Sequence, residues 1–126
     1  MKDMLRISVA DKSLITDEIA NLKYESSLRP GVQERYERIF SKPSQDIVDM
    51  LSLSEEDLIH ISQPTLIIHG SADEIVPQSA SERLHALLPN SELEIFDNVG
   101  HGVQIEAPSR FNDSLNRFLK LEQHSP

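Results

Sequence analysis

Cysteine and tryptophan are both absent from this 126-residue chain. Without Cys there is no disulfide framework and no thiolate metal site. Glycine is scarce: the four are Gly31, Gly70, Gly100 and Gly102, and none has a serine two positions later. The Gly-x-Ser-x-Gly turn that presents a nucleophilic serine at a strand end is therefore missing. Basic residues are outnumbered, with 12 Lys and Arg against 21 Asp and Glu, a net charge of −9. That balance argues against nucleic acid or an anionic membrane as partner, since both call for basic patches. No run approaches the length of a transmembrane helix. The opening MKDMLRISVA carries Asp3 and Arg6 where a signal peptide needs an unbroken apolar stretch. The totals read as one small, soluble, cytoplasmic domain with a thin core, the apolar fraction being 38%.

What is present is organised around His69-Gly70-Ser71-Ala72-Asp73-Glu74-Ile75-Val76-Pro77. Thr65-Leu66-Ile67-Ile68 leads into it as a short apolar run, the pattern of a buried parallel strand. Asp73 thus falls just beyond a strand's C-terminal end, where open α/β sheets place their chemistry. A second run, Leu93-Glu94-Ile95-Phe96, precedes Asn98-Val99-Gly100-His101-Gly102. An acid and then a histidine, each after its own strand, is the second half of the order Ser…Asp…His. Asp73-Glu74 does not suit a paired-carboxylate site, because neighbouring side chains point apart. His60, His85 and His124 lack any ligand spacing, and His69 reads as a strand-end residue beside the site.

Residues 1–12 offer the short run Ile7-Ser8-Val9-Ala10 and no expected structure of their own. Thr16 is an expected N-cap, with Asp17 and Glu18 in the first turn and Ile19, Leu22 and Ser26 on one face. Pro30-Gly31 stops that helix. A second helix is expected from Val32 to Phe40, and a third around Ile47, Val48, Met50 and Leu51. Ser54-Glu55-Glu56-Asp57 has the form of a capping box. The composition changes at Gln63-Pro64. A strand at 65–69, a helix near 78–88 with Ala80, Leu84, Leu87 and Leu88 facing a core, and a strand at 92–96 make one right-handed βαβ unit. Pro108 opens a last helix with Phe111, Leu115, Phe118 and Leu119 inward. Two parallel strands are too few to cover their own edges, so the chain reads as part of a larger sheet.

The second half resembles the α/β-hydrolase superfamily through Gly70-Ser71-Ala72-Asp73, Val76-Pro77 and Gly100-His101. The first half, with Ser13-Leu14-Ile15-Thr16-Asp17-Glu18, Lys23-Tyr24-Glu25 and Arg29-Pro30-Gly31, resembles the cap of the meta-cleavage product hydrolases, and within them the 2-hydroxymuconate semialdehyde hydrolases. Gln104-Ile105-Glu106 and Arg110-Phe111-Asn112 continue the likeness. The resemblance implies an α/β fold in which residues 1–62 form a helical cap or lid. Residues 63–126 then form the C-terminal strand–helix–strand–helix of a doubly wound hydrolase core. It also implies hydrolysis of a carbon–carbon bond in a ring-fission dienone, with ketonisation first. His101 would be the acid/base and Asp73 the residue that orients it. An imidazole titrates near neutrality, and a carboxylate on its far nitrogen fixes the tautomer. No metal or organic cofactor is implied, and the family's habit of associating allows a homo-oligomer.

Two departures touch substrate binding. The family usually has Arg where this chain has Lys23, beside Tyr24; Lys keeps the charge and loses the bidentate fork. It usually has Trp after the histidine, where this chain has Gly102, which removes a wall of the pocket. Both departures favour a carboxylic ester as the alternative substrate. The missing serine and oxyanion hole give the expectation that 1–126 alone is inactive, and leave a non-catalytic association module as a third reading.

Overall fold

A computed structural model describes residues 2–41, 46, 49 and 51–122. Ile47, Val48 and Met50 of the expected third helix lie outside them, as does His124. The described elements before residue 63 are helical: α1 (Lys2–Arg6), a 3-10 turn (Lys12–Leu14), α2 (Asp17–Ser27), α3 (Val32–Ile39) and α4 (Glu55–Leu58). After it come β1 (Thr65–Gly70), α5 (Gln78–Leu87), β2 (Ser91–Phe96), α6 (Val103–Glu106) and α7 (Pro108–Glu122).

Local chemistry sets the helix starts. Thr16 Oγ1 accepts from the Ile19 N–H at 3.2 Å, satisfying a donor that the first turn of α2 leaves over. Gly31 takes the left-handed conformation (φ 80°) that separates α2 from α3. At α4, Ser54 Oγ accepts from the Asp57 N–H, and the Asp57 carboxylate accepts from the Ser54 N–H in return. The expected apolar face of α2 is a correction: Ala20 is buried, whereas Ile19 and Leu22 are exposed. The stripe is only partly covered, Leu22 being the more open of the two. On α3 the rings of Tyr36 and Phe40 lie 4.5 Å apart, both exposed.

The N-terminal lead-in is a second correction. Lys2–Arg6 is helical, and Val9 is among the most deeply buried side chains. The cause is tertiary: Ser8 O accepts from the Gly102 N–H at 2.8 Å, which seats the lead-in against a loop near the other end of the sequence.

β1 and β2 pair in parallel, from Thr65 opposite Ser91 to Gly70 opposite Phe96, one residue longer than expected at one end of each. Phe96, Val99 and Val103 make the core, with Ile68, Ala107 and Phe111 packed on it and the Arg110 guanidinium 3.9 Å over the Phe96 ring. Gly70 is required by a close approach. A Cβ there would lie 2.2 Å from the carbonyl oxygens of both Val99 and Gly100.

The helix faces are less covered than expected. On α5, Leu88 just past its end is buried and Leu84 and Leu87 are half-buried, but Ala80 is exposed. Ala80 lines an open groove of about 300 Å³ with Leu53, Leu58, Leu84 and Leu87. On α7, Phe111 and Phe118 are half-buried, while Leu115 and Leu119 stay exposed along a groove of about 350 Å³ with Leu66 and Ile68. Ser114, the buried polar residue of α7, donates to Glu94 Oε2 at 2.8 Å, and Arg117 pairs with the same carboxylate.

Candidate functional site

The parallel register brings the ends of β1 and β2 side by side, so the loops that follow them start as neighbours. Those loops are stitched together by their backbones: Ser71 N–H donates to Phe96 O and Ala72 N–H to Val99 O, each at 2.9 Å. Asn98 adopts a left-handed conformation (φ 58°), which a short polar side chain tolerates, and its N–H donates to Ser71 Oγ at 3.0 Å.

Asp73 lies in this frame with its side chain 4% exposed. Its Oδ1 accepts from the N–H groups of Ile75 (2.7 Å) and Val76 (3.0 Å), and its Oδ2 lies 2.8 Å from His101 Nδ1. Burial pushes the Asp73 carboxyl up. The Val76 N–H, His101 and the Ile75 N–H together outweigh that, and hold it below the usual carboxylate range. An ionised carboxylate can only accept, so Nδ1 of His101 carries a proton. Nε2 is then the ring nitrogen left to face a reactant, and the His101 side chain is 46% exposed. A buried anion fixed by three donors, holding a half-open imidazole, can move a proton to and from a reactant at Nε2.

His69, on β1, is the buried neighbour of this pair. Its Nδ1 lies 2.8 Å from Ser81 Oγ, and its Nε2 is buried without a hydrogen bond, 3.9 Å from Asp73 Oδ2.

The remaining sequence-derived residues fall elsewhere. Lys23 and Tyr24 stand exposed on α2, and the hydrogen bonds of Asp73 and His101 involve neither. Gly102 is buried against the docked lead-in. A Cβ there would meet Ser8 O at 3.3 Å and Val9 Cγ1 at 3.7 Å. Neither apolar groove is lined by Asp73 or His101.

Sequence reasoning missed Glu106, whose carboxylate accepts from the N–H groups of Gly100 (2.7 Å), Ala10 (2.7 Å) and Asp11 (3.1 Å). The one available signal was its place five residues after His101, in a stretch already singled out for its likeness. Nothing local pointed to Ala10 and Asp11, which lie more than ninety positions away. Among the described residues no group of three His, Cys, Asp or Glu side chains could hold a metal ion.

Comparison with known proteins places this geometry. A family model described as the alpha/beta hydrolase fold matches residues 8–108. The 2-hydroxymuconate semialdehyde hydrolase of Pseudomonas putida is 40% identical over 94% of this chain. A 2-hydroxy-6-oxo-2,4-heptadienoate hydrolase, also from Pseudomonas putida, is 40% identical over 97% of it. Among solved structures, a meta-cleavage product hydrolase from Pseudomonas fluorescens superposes with a TM-score of 0.91 at 42% identity, over 97% of this chain and 45% of that one. The chain spans 42% and 44% of the two curated relatives.

Proposed function

The chain belongs to the alpha/beta hydrolase fold family, and from that premise we propose that it supplies the acid and histidine of a meta-cleavage product hydrolase, acting with a serine and an oxyanion hole from outside residues 1–126. The observation that carries this reading is the 2.8 Å contact between the buried Asp73 and the half-exposed His101. The relatives' names supply the substrate class: 2-hydroxymuconate semialdehyde and 2-hydroxy-6-oxo-2,4-heptadienoate are ring-fission dienols.

In this reading Asp73 holds the proton of His101 on Nδ1 and stabilises the imidazolium that forms when Nε2 takes a proton. The dienol is ketonised first, which makes its C–C bond a leaving bond. One water then adds across that bond. The carbonyl carbon takes the hydroxyl and departs as a short acid, and the other carbon takes the hydrogen as 2-hydroxypenta-2,4-dienoate. Residues 1–62 act as the cap over the site, with Lys23 as the counter-charge for the substrate carboxylate and Tyr24 as part of the pocket wall. Residues 63–126 belong to the hydrolase core.

The test is a chimera in which 1–126 replaces the matching part of the Pseudomonas putida 2-hydroxymuconate semialdehyde hydrolase. It should hydrolyse the ring-fission dienone, and Asp73→Asn or His101→Ala should each lower kcat by about 10³-fold or more. The chain alone should show no turnover. A folded chimera that ignores the dienone, or whose turnover survives His101→Ala, overturns the reading. Turnover of esters alone would favour the carboxylic-ester alternative raised by Lys23 and Gly102.

A further inference from the structure

Glu106 is a charged side chain that the proposed chemistry does not use, and it sits at a junction between two distant parts of the chain. One oxygen, Oε1, accepts from the N–H of Gly100, the residue before His101. The other, Oε2, accepts from the consecutive N–H groups of Ala10 and Asp11. Three charge-assisted donors on one carboxylate is a strong local bond set, and each carboxylate oxygen faces a different segment. The contact is extended on both sides. Ser8 O takes the Gly102 N–H, Val9 is buried beneath, and Lys12 Nζ donates to Val9 O and to Glu74 Oε1, next to Asp73. The packing is tight enough that a Cβ on Gly100 would lie 2.6 Å from Ala10 N and 2.8 Å from Glu106 Oε1.

We propose that Glu106 is a positioning residue that couples the Ser8–Asp11 segment to the His101 loop, so that the alignment of His101 on Asp73 depends on that segment being seated. Segment Ser8–Asp11 leads through the 3-10 turn directly into α2, which carries Lys23 and Tyr24. Displacement of the helical region would therefore pull on the same carboxylate that holds the residue before His101. The bond to buried Gly100 is the costly one to give up, since a buried N–H that loses its acceptor pays its desolvation cost, whereas the Ala10 N–H is part-buried and the Asp11 N–H exposed. The coupling rests on the reading of Asp73 and His101 as the reacting pair only for its meaning in catalysis; its geometry is testable without turnover.

Glu106→Gln is the informative variant, because an amide has one acceptor oxygen and must present NH2 to donors on the other side. In nitrogen and proton NMR of chain 1–126, the variant should lose the His101 Nδ1–H signal of the bond to Asp73. Hydrogen exchange at Ala10, Asp11 and Gly100 should accelerate at least tenfold. Gly100→Ala, which wedges the two segments apart and leaves the carboxylate intact, should do the same. A purely structural role would lower global stability while leaving the His101 signal in the folded fraction unchanged, and that outcome overturns the proposal. Should both variants fail to fold, the wild-type chain decides. The amides of Ala10, Asp11 and Gly100 should open as one cooperative unit, and independent opening overturns the proposal. Loss of turnover in the chimera with these signals intact would count against the functional reading instead.

Discussion

Asp73 illustrates how one side chain links the site to stability. Its folded-state pKa lies below the ordinary carboxylate value because the donors around it outweigh its burial. A group depressed on folding stabilises the fold fully above its unfolded value, about pH 4, and loses that contribution as pH falls through the folded value. Glu94 acts with the same sign: burial raises it, and Ser114 and Arg117 lower it further. The urea midpoint of the wild-type chain should therefore fall as pH drops below about 4, and Asp73→Asn should flatten part of that slope. Parallel curves for the two proteins would contradict the assignment. The positions of Asp73 and His101 were legible in the sequence because each follows a strand signal and a turn. The third donor set, around Glu106, was not, because hydrogen bonds between residues 10 and 106 leave no periodic trace.

At the scale of elements, the end of β1 packs directly against the backbone of the His101 loop. Gly70 ends β1, Gly102 directly follows His101, and the two differ in the room they leave. An added methyl at Gly70 would lie 2.2 Å from two backbone carbonyl oxygens, and at Gly102 3.3 Å from one. Gly70→Ala should cost about 2–3 kcal/mol or prevent folding, whereas Gly102→Ala should cost about 1 kcal/mol or less. Urea titration of both variants checks the ranking, and equal costs would refute it. The two strands, α5 and α7 follow from sequence because apolar runs are bounded there by Pro64, Pro77, Pro89 and Pro108, whereas the short α6 (Val103–Glu106) reads in sequence only as part of the His101 loop. The burial of the helices does not follow. Periodicity places Ile19, Leu22, Leu115 and Leu119 on stripes, but only a facing surface can bury a stripe, and all four stay exposed.

Many large apolar side chains stay exposed among the described residues, Leu22, Leu28, Ile39 and Ile105 among them. Among the described residues each strand has only the other as a sheet neighbour, and two apolar grooves remain open. Unpaired strand edges and uncovered grooves favour self-association, which the net charge of −9 opposes by repulsion. Sedimentation velocity should show species heavier than the 14.3 kDa monomer as concentration rises, and more of them at higher ionic strength, where the repulsion is screened. A single monomeric species across salt and concentration would show that these surfaces are inert.

The parallel register of β1 and β2 has a consequence for inheritance. Asp73, His101 and Glu106 all lie within the continuous stretch 65–106, and the acid–histidine bond joins two residues of that stretch. A recombination event that exchanged everything upstream of Thr65 would transmit the acid and the histidine together, without the Ser8–Asp11 segment on which their alignment depends. It would deliver Glu106 with Gly100 still bound and with Oε2 awaiting two amides from whatever segment came to lie where Ala10 and Asp11 now are.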